Sequence, residues 1–541
     1  MRIERGYCGY LRSVLAGPKL LLPLVLLLGC LGSARAQFNY TYSGGGVTIT
    51  GYTGSGGAVT IPDTISGNPV TGIGSNAFAN CTSLTSVTIP SSVNSIGSYA
   101  FYGCRSLTSA TIPSGVPSIG DFTFGYCNSL ASVTIPATVT RIGNAAFVSC
   151  FSLTNVTIPS SVTTLGSSVF MYCRSLGSIS VDAANLVFST ADGVLYDKAQ
   201  TSLVQYPGGK VGSYTMPASV TSVWQYALYA CGGLTSISVD PSNSAFSAFD
   251  GVLFDKNQTT LVQYPAGNSS TSYVVPASVT GLGSFAFYGC NNLTSITADS
   301  LSSSFAGKDG VLFDKSLTTL VEYPPGRVGA YTIPAGTTGV AGYAFFGCPG
   351  LTAVTIAASV GSLGNSAFRV CTSLSLAAFQ GDAPTMGSSV FGSNASGFTV
   401  DYFNDKTGFT SPTWNGYPAV NAGDSSPVAT WLHSNGFAYT ADLHGTPNGD
   451  GVPLLMAYAL KLDPTRNQSN SLPKPVLSAN QMSLTFYAGS ADVAYSVEAS
   501  TDLQNWSAAG VTISGPDANN FRTATIPLSG AACYMRLKVT H

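Results

Sequence analysis

The chain has 541 residues, of which only 9% are charged, and a formal net charge of −2. So small a charge excludes the broad basic field that recruits nucleic acid or an anionic membrane. With charged residues far below the roughly 25% of ordinary soluble domains, the surface has to be covered by Ser, Thr, Asn and Gly, which suits a secreted protein.

Arg2, Arg5, Arg12 and Lys19 precede an apolar run from Leu20 to Leu31, and Ala34-Arg35-Ala36 offers a small-x-small cleavage site. This layout predicts a secretory signal peptide over residues 1–36. The run has 12 residues, short of the ~18 that span a bilayer. Leu27-Leu28-Gly29-Cys30 also resembles a bacterial lipobox with Cys30 as the lipidated residue, but Leu28 is bulky where a small residue is preferred, so cleavage after Ala36 is favoured. No second apolar run follows, and no membrane span is expected.

Residues 37–72 read as an N-terminal cap in which Val47-Thr-Ile-Thr50 is a short strand. A 23-residue period then begins. Phe78, Phe101, Phe124, Phe147 and Phe170 keep it, as do Cys81, Cys104, Cys127, Cys150 and Cys173. A fixed period of this size marks a solenoid, whose units bury their apolar faces only by stacking. Leu84, Val87 and Ile89 have the spacing of a leucine-rich repeat strand, and Pro90 ends it. Val93 and Ile96 supply a second apolar pair, and the Phe and Cys close the coil.

Of the twelve cysteines, nine occupy this one slot: those five with Cys231, Cys290, Cys348 and Cys371. An exported chain with many cysteines usually carries disulfides. A ladder of nine has no natural pairing, however, and buried thiols are expected instead. After Cys173 the spacing widens to 58, 59 and 58 before returning to 23. Three insertions of about 35 residues account for this, each with an Asp-Gly-Val-Leu-(Tyr/Phe)-Asp-Lys phrase starting at Asp192, Asp250 or Asp309. Each reads as a β-hairpin with Asp-Gly as turn residues rather than ligands. The solenoid is expected over 73–380 and its C-terminal cap over 381–423, where the period is lost.

A different module is expected from 424 to 541. Val428–Phe437 and Val452–Leu462 have helical character, and alternating runs such as Met482/Leu484/Phe486 and Met535/Leu537/Val539 predict a small β-sandwich.

The phrase Ala100-Phe101-Tyr-Gly-Cys104-x-Ser-Leu107-Thr-Ser-x-x-Ile112-Pro113 resembles the BspA-type leucine-rich repeat family of bacterial and protist surface proteins, over about residues 47–380. The resemblance implies a solenoid of parallel short strands displayed outside the cell, and adhesion or ligand binding rather than catalysis. It supplies no catalytic residue to carry over. The C-terminal unit resembles modules of secreted bacterial proteins in which an aspartate-rich loop precedes a helix. Here Thr446 and Ala457 stand where a calcium loop wants acidic ligands. Asn448 and Asp450 alone make a weak site, so the loop is expected to cap the helix instead.

The three histidines, His433, His444 and His541, lie outside the repeats, and no zinc-type pair occurs. Gly72-Ile-Gly-Ser-Asn-Ala77 mimics a dinucleotide fingerprint but lacks its strand–helix context. Charges in the short repeats, such as Arg105, Asp121, Arg141 and Arg174, fall in different slots, so no acid–base pair can be named. Threonine rows (Thr88, Thr111, Thr134 and Thr157) admit ice binding, but Gly177, Ser180 and Ala378 interrupt them. Aromatics beside the Cys column (Tyr102, Tyr229, Tyr288 and Phe346, with Tyr126 and Tyr172 one place later) suit binding or packing equally, and no ligand-binding residue is assigned.

The expectation is a mainly β, exported, non-enzymatic leucine-rich repeat protein without catalytic, metal or cofactor-binding residues. It would be a monomer that contacts an extracellular protein or a polysaccharide. The alternative is an accessory carbohydrate-binding protein whose C-terminal module binds while the solenoid is a spacer.

Overall fold

The computed structural model describes residues 37–541 except 424–425, 438–440, 479, 491 and 529–532, so the predicted signal peptide with Cys8 and Cys30 lies outside the described residues. Two compact units are formed. The first reaches Gly212 and adds Met216–Gly233 and Ser242–Ala245; the second comprises Ser213–Thr215, Leu234–Pro241 and Phe246–His541.

In both units the coils are parallel β-solenoid turns, as the repeat predicts. The Leu-x-x-Val-x-Ile phrase forms one ladder of short parallel strands. Val133 pairs with Ala110, one coil earlier, and Ile179 with Val156. The apolar pair after the proline forms a second ladder of two-residue strands, in which Arg141–Ile142 lies between Ser118–Ile119 and Thr164–Leu165. Side chains at alternate strand positions point to opposite faces. Leu84, Val87, Val93 and Ile96 therefore enter the core while Thr85 and Thr88 face solvent.

The Phe column is a continuous stack in the first unit, with centroids 5.1 Å apart between Phe78 and Phe101 and 5.3 Å between Phe101 and Phe124. Its open start is covered by a hairpin, Phe38–Ser43 against Gly46–Tyr52, whose Tyr52 stacks on Phe78 at 5.2 Å. In the second unit Phe345, Phe368 and Phe391 continue the pattern until Tyr417 meets Phe391 edge-on at 5.4 Å. All nine ladder cysteines are free.

Each insertion contains the expected hairpin plus one further strand. Phe188–Ala191, Val194–Asp197 and Ser202–Gln205 are antiparallel, and the last joins Ser222–Val223 in the second ladder. Asp192 (φ 48°) and Gly193 (φ 74°) make the tight turn, as turn residues, and Asp250-Gly251 and Asp309-Gly310 repeat it. The Asp197 carboxylate accepts from the N–H groups of Thr201 and Ser202 at 2.7 and 2.9 Å, which fixes the next turn. The third strand then delivers Tyr206 into the place of a repeat Phe, where its carbonyl accepts from the Cys231 thiol at 3.7 Å. An insertion is thus an enlarged coil without a cysteine, rather than a decoration on a coil.

The second unit ends in two short helices and a β-sandwich. Helix α1 (Pro427–Ser434) packs on the strands Gly329–Thr332 and Leu351–Ile356 of the first ladder. Ser434 accepts from Thr332 Oγ1 at 3.1 Å through its carbonyl and from Gln380 Nε2 at 3.4 Å through its hydroxyl. After the helix, Gly436 comes so close that an added Cβ would lie 2.9 Å from Ala330 Cβ and 3.0 Å from Ala353 Cβ. Ala353, Leu376 and Ala378 stand in outward slots filled mostly by Ser or Thr in other coils, and here all three are buried. Helix α2 (Leu454–Ala459) is shorter than the predicted 452–462. Strands β1 (Val476–Ser478), β2 (Gln481–Tyr487), β3 (Ala494–Ser500), β4 (Thr512–Ile513), β5 (Phe521–Pro527) and β6 (Tyr534–Thr540) follow. They make a β1-β2-β5-β4 sheet and a β3-β6 sheet, joined by a core of Leu484, Phe486 and Ala524 against Val497 and Met535.

Candidate functional site

Between the second ladder and the cysteine, every coil turns a tight corner around its Phe. Two residues four apart adopt left-handed backbone: Asn76 and Asn80, then Tyr99 and Gly103, Phe122 and Tyr126, Ala145 and Ser149, Ser168 and Tyr172. The second unit repeats this at Phe285 and Gly289, Tyr343 and Gly347, Ser366 and Val370. The alternation aims N–H groups at the next coil, so Tyr99, Phe101 and Gly103 donate to the carbonyls of Asp121, Thr123 and Gly125 at 2.8–2.9 Å. Small residues in these slots can be buried, as Ala145, Ser149 and Ser366 are, whereas the larger side chains reach the surface. Tyr126 is 40% exposed and Tyr343 37%.

Asparagine or glycine suits a left-handed slot, whereas a bulky side chain there costs about 1–2 kcal/mol. The fold tolerates small residues at the slot, since Ala145, Ser168 and Ser366 occupy it. Aromatics nevertheless recur and gather into three clusters. Tyr99 stacks on Phe122 at 4.9 Å, and Tyr102 meets Tyr99 at 5.5 Å and Tyr126 at 5.2 Å. Tyr229 meets Tyr172 at 5.3 Å and Tyr226 at 5.5 Å, with the Tyr172 and Tyr229 hydroxyls 2.9 Å apart. In the second unit Phe285 meets Tyr343 at 4.7 Å and Phe346 at 5.1 Å, and Tyr288 meets Phe346 at 5.4 Å.

The aromatics beside the Cys column therefore supply two members of each cluster. The remaining members (Tyr99, Phe122, Tyr226, Phe285 and Tyr343) carry no such signal from the column itself. Their signal is the spacing: each except Phe122 has an aromatic three residues later, at Tyr102, Tyr229, Tyr288 or Phe346.

Thiols offer no chemistry here. Desolvation pushes the Cys127 thiol up to about 12, and burial raises Cys104 and Cys231 as well. Among the described residues no group of three His, Cys, Asp or Glu side chains could hold a metal ion. None of their helices is long and apolar enough to cross a membrane. At the loop before α2, both Asp450 oxygens accept backbone N–H groups, from Val452 at 2.9 Å and Gln468 at 2.8 Å. Asn448 Nδ2 donates to the carbonyls of Pro464 and Arg466 at 2.6 and 3.0 Å. The N-cap is Pro453, so no side chain caps the helix; the chain before it does so through its backbone, where the carbonyls of Gly445 and Leu443 accept from Leu454 and Leu455 at 3.1 and 2.9 Å. The Asn448 and Asp450 side chains instead tie the loop to residues 464–468.

The family model of the BspA type Leucine rich repeat region matches the chain in six copies, over residues 58–182, 259–308 and 328–409. No curated protein matches. Among solved structures, a leucine rich cell surface protein of Faecalibacterium prausnitzii is 28% identical, covering 64% of this chain and 94% of its own, with a TM-score of 0.39. The leucine rich repeat protein of T. pallidum is 27% identical over 48% of this chain and 88% of its own, with a TM-score of 0.29. A leucine-rich repeat protein of Bacteroides ovatus is 24% identical over 68% of this chain and 94% of its own, with a TM-score of 0.34. With its period, its Phe and Cys columns and the six matched copies, the solenoid of this chain is a BspA-type leucine-rich repeat region.

Proposed function

We propose that the protein is exported and serves as a non-enzymatic adhesion or ligand-binding protein at the cell surface. It holds an extracellular protein or a polysaccharide through the aromatic clusters of the solenoid corner. One observation carries this reading: aromatics occupy left-handed slots that the fold fills elsewhere with Ala or Ser, and Tyr99, Tyr126 and Tyr343 are exposed there. A conformational cost that the coils of Ala145 and Ser168 avoid points to selection by a partner. Tyrosine also supplies large, stiff contact area with a polar tip, as binding surfaces require. Export is supported by the signal-peptide layout of residues 1–36.

The test uses the mature chain, 37–541, with three paired variants: Tyr99→Ser with Tyr126→Ser, Tyr172→Ser with Tyr226→Ser, and Tyr343→Ser with Phe346→Ser. Each is probed on arrays of glycans and extracellular proteins. At least one pair is expected to weaken binding by roughly tenfold or more while thermal unfolding stays unchanged. Undiminished binding by all three would refute the corner as the site. That outcome would favour the accessory reading, in which residues 424–541 bind carbohydrate and the repeats are a spacer.

A further inference from the structure

The two sheets of the C-terminal sandwich differ in width, four strands against two. The connections show where the narrow sheet falls short. On the edge of β3 away from β6, Ala499 pairs with Ser507, with mutual N–H to carbonyl bonds of 2.8 and 3.0 Å. From Ser507 the chain reaches β4 at Thr512. Strand β3 therefore lies toward the β4 side of the wide sheet, and β6 toward the β1 side. Among the described residues no backbone group partners the outer edge of β6; its ladder bonds all go to β3.

The wide sheet shows the same gap. Leu477 of β1 stands opposite Met482, on the face that Leu484 and Phe486 bury in the core. Leu477 is nonetheless 67% exposed. Helix α2 packs on β6 as well, but at the end of the sandwich where β3 begins, and it leaves Leu477 exposed. There the Ala459 carbonyl accepts from the hydroxyls of Tyr495 at 2.8 Å and Ser490 at 3.2 Å. Away from that end, room for one strand is left beside β6 and over β1.

The charges on β6 decide what can take that place. Arg536 and Lys538 share its outer face, and the single carboxylate of Glu498 on β3 meets both, at 2.7 and 3.8 Å. A second copy pairing antiparallel about Leu537 would set each Arg536 opposite a Lys538. Like charges directly opposite are destabilising, and edge lysines are a known defence against such self-pairing. A strand with carboxylates at those positions meets the opposite situation: two cations share one acid, and a second acid is welcome. Its alternate positions would face inward beside Leu537 and Val539, which are only partly buried, and over Leu477.

We infer that the free edge of β6 takes up an extended segment of another protein, apolar and acidic at alternate positions, as an added strand. Backbone hydrogen bonds along β6 would supply affinity, and Arg536 and Lys538 the selectivity.

The mature chain is titrated with two nonapeptides, one alternating Val and Glu, the other Val and Lys. Binding is read by fluorescence anisotropy, and its place by hydrogen exchange of the β6 amides. The acidic peptide is expected to bind and to protect Leu537 and its neighbours, the basic one to bind at least about tenfold more weakly. Lys538→Glu with Arg536→Glu should reverse the preference. Arg536 also lies over the Trp506 ring at 4.3 Å, so Lys538→Glu alone is the milder variant and should narrow the difference. Failure of the acidic peptide to protect β6, or equal binding of both peptides, would overturn the proposal. So would a concentration-dependent dimer that protects β6 without peptide, which would assign the edge to a second copy.

Discussion

The thiol of Cys127 donates to the carbonyl of Phe101, 26 residues earlier, at 3.2 Å. The bond joins the Cys column to the Phe column one coil back, and Cys104, Cys150, Cys173 and Cys371 repeat it at 3.0–3.2 Å. The ladder cysteines are thus coil-to-coil connectors as well as small buried hydrophobes. Cys127→Ala should lose the bond and leave a small void, costing about 1–3 kcal/mol in urea unfolding. With burial holding its proton up to about 12, Cys127 should resist alkylation at pH 8 in the native protein. Cys81 and Cys533, only partly buried, should be modified first, as mass spectrometry of the alkylated protein would show.

Asn185 anchors the first insertion. Its Nδ2 donates to the carbonyls of Pro159 and Val162 at 2.8 and 3.0 Å, and its Oδ1 accepts from Val187 and Phe188, both at 2.8 Å. Asn185→Ala is expected to destabilise by about 3 kcal/mol or more, since it strands several buried backbone groups. Asn243 makes the same donor bonds, to Pro217 and Val220 at 2.8 Å. In the third copy Ser302 accepts from Ser304 and Phe305 but has no amide to donate. Ser302→Asn should therefore raise the unfolding midpoint.

Glu322 occupies the place held in the other insertions by Gln205 and Gln263. Those amides donate to two carbonyls each, Gln205 to Tyr206 and Ala227 at 2.8 and 3.2 Å, Gln263 to Tyr264 and Ala286 at 2.9 and 3.1 Å. A carboxylate cannot donate, and burial pushes the Glu322 carboxyl well above its ordinary 4.5. The folded state therefore holds the proton more tightly than the unfolded chain. The protonated group's contribution is fully present below about pH 4 and is lost as pH rises toward the folded value. Glu322→Gln should stabilise, with a gain near zero at pH 4 that grows toward pH 8 in paired denaturation curves.

Leu376 and its alanine neighbours are outward residues made apolar by what lies on them. Leu376→Ser restores the repeat's usual residue but puts an unpaired hydroxyl under α1, and should cost the full chain about 2 kcal/mol. A fragment ending at residue 423 would bare Ala353, Leu376 and Ala378 and should bind a hydrophobic dye that the full chain does not. In that fragment the same Leu376→Ser should reduce dye binding. Opposite signs in the two contexts would establish α1 as the cover.

Much of the solenoid was legible because its signals are covalently periodic. Phe101 and Cys104 recur with the coil, and the Val-x-Ile alternation sets the burial. The corner was harder to read. A left-handed position normally announces itself with Gly or Asn, and here it holds Tyr99 and Phe122, whose identity gives no backbone cue. The strand Phe188–Ala191 has four residues and no alternation, so only its partner Val194–Asp197 makes it visible. Ala378 seemed merely to break the threonine row, and its cause lies more than 40 residues away, in α1 and Gly436. The loop of Asn448 and Asp450 resembled a side-chain helix cap until its bonds ran to residues 464–468 instead.

The bonds from each thiol to the preceding coil also bear on how the protein meets a pull. Where coils hold only to their neighbours, tension along the axis passes through them in series, and the weakest end lets go first. Each released 23-residue coil would pay out about 75–80 Å of chain. A solenoid built this way lengthens in steps under load, giving ground coil by coil while the remainder stays folded.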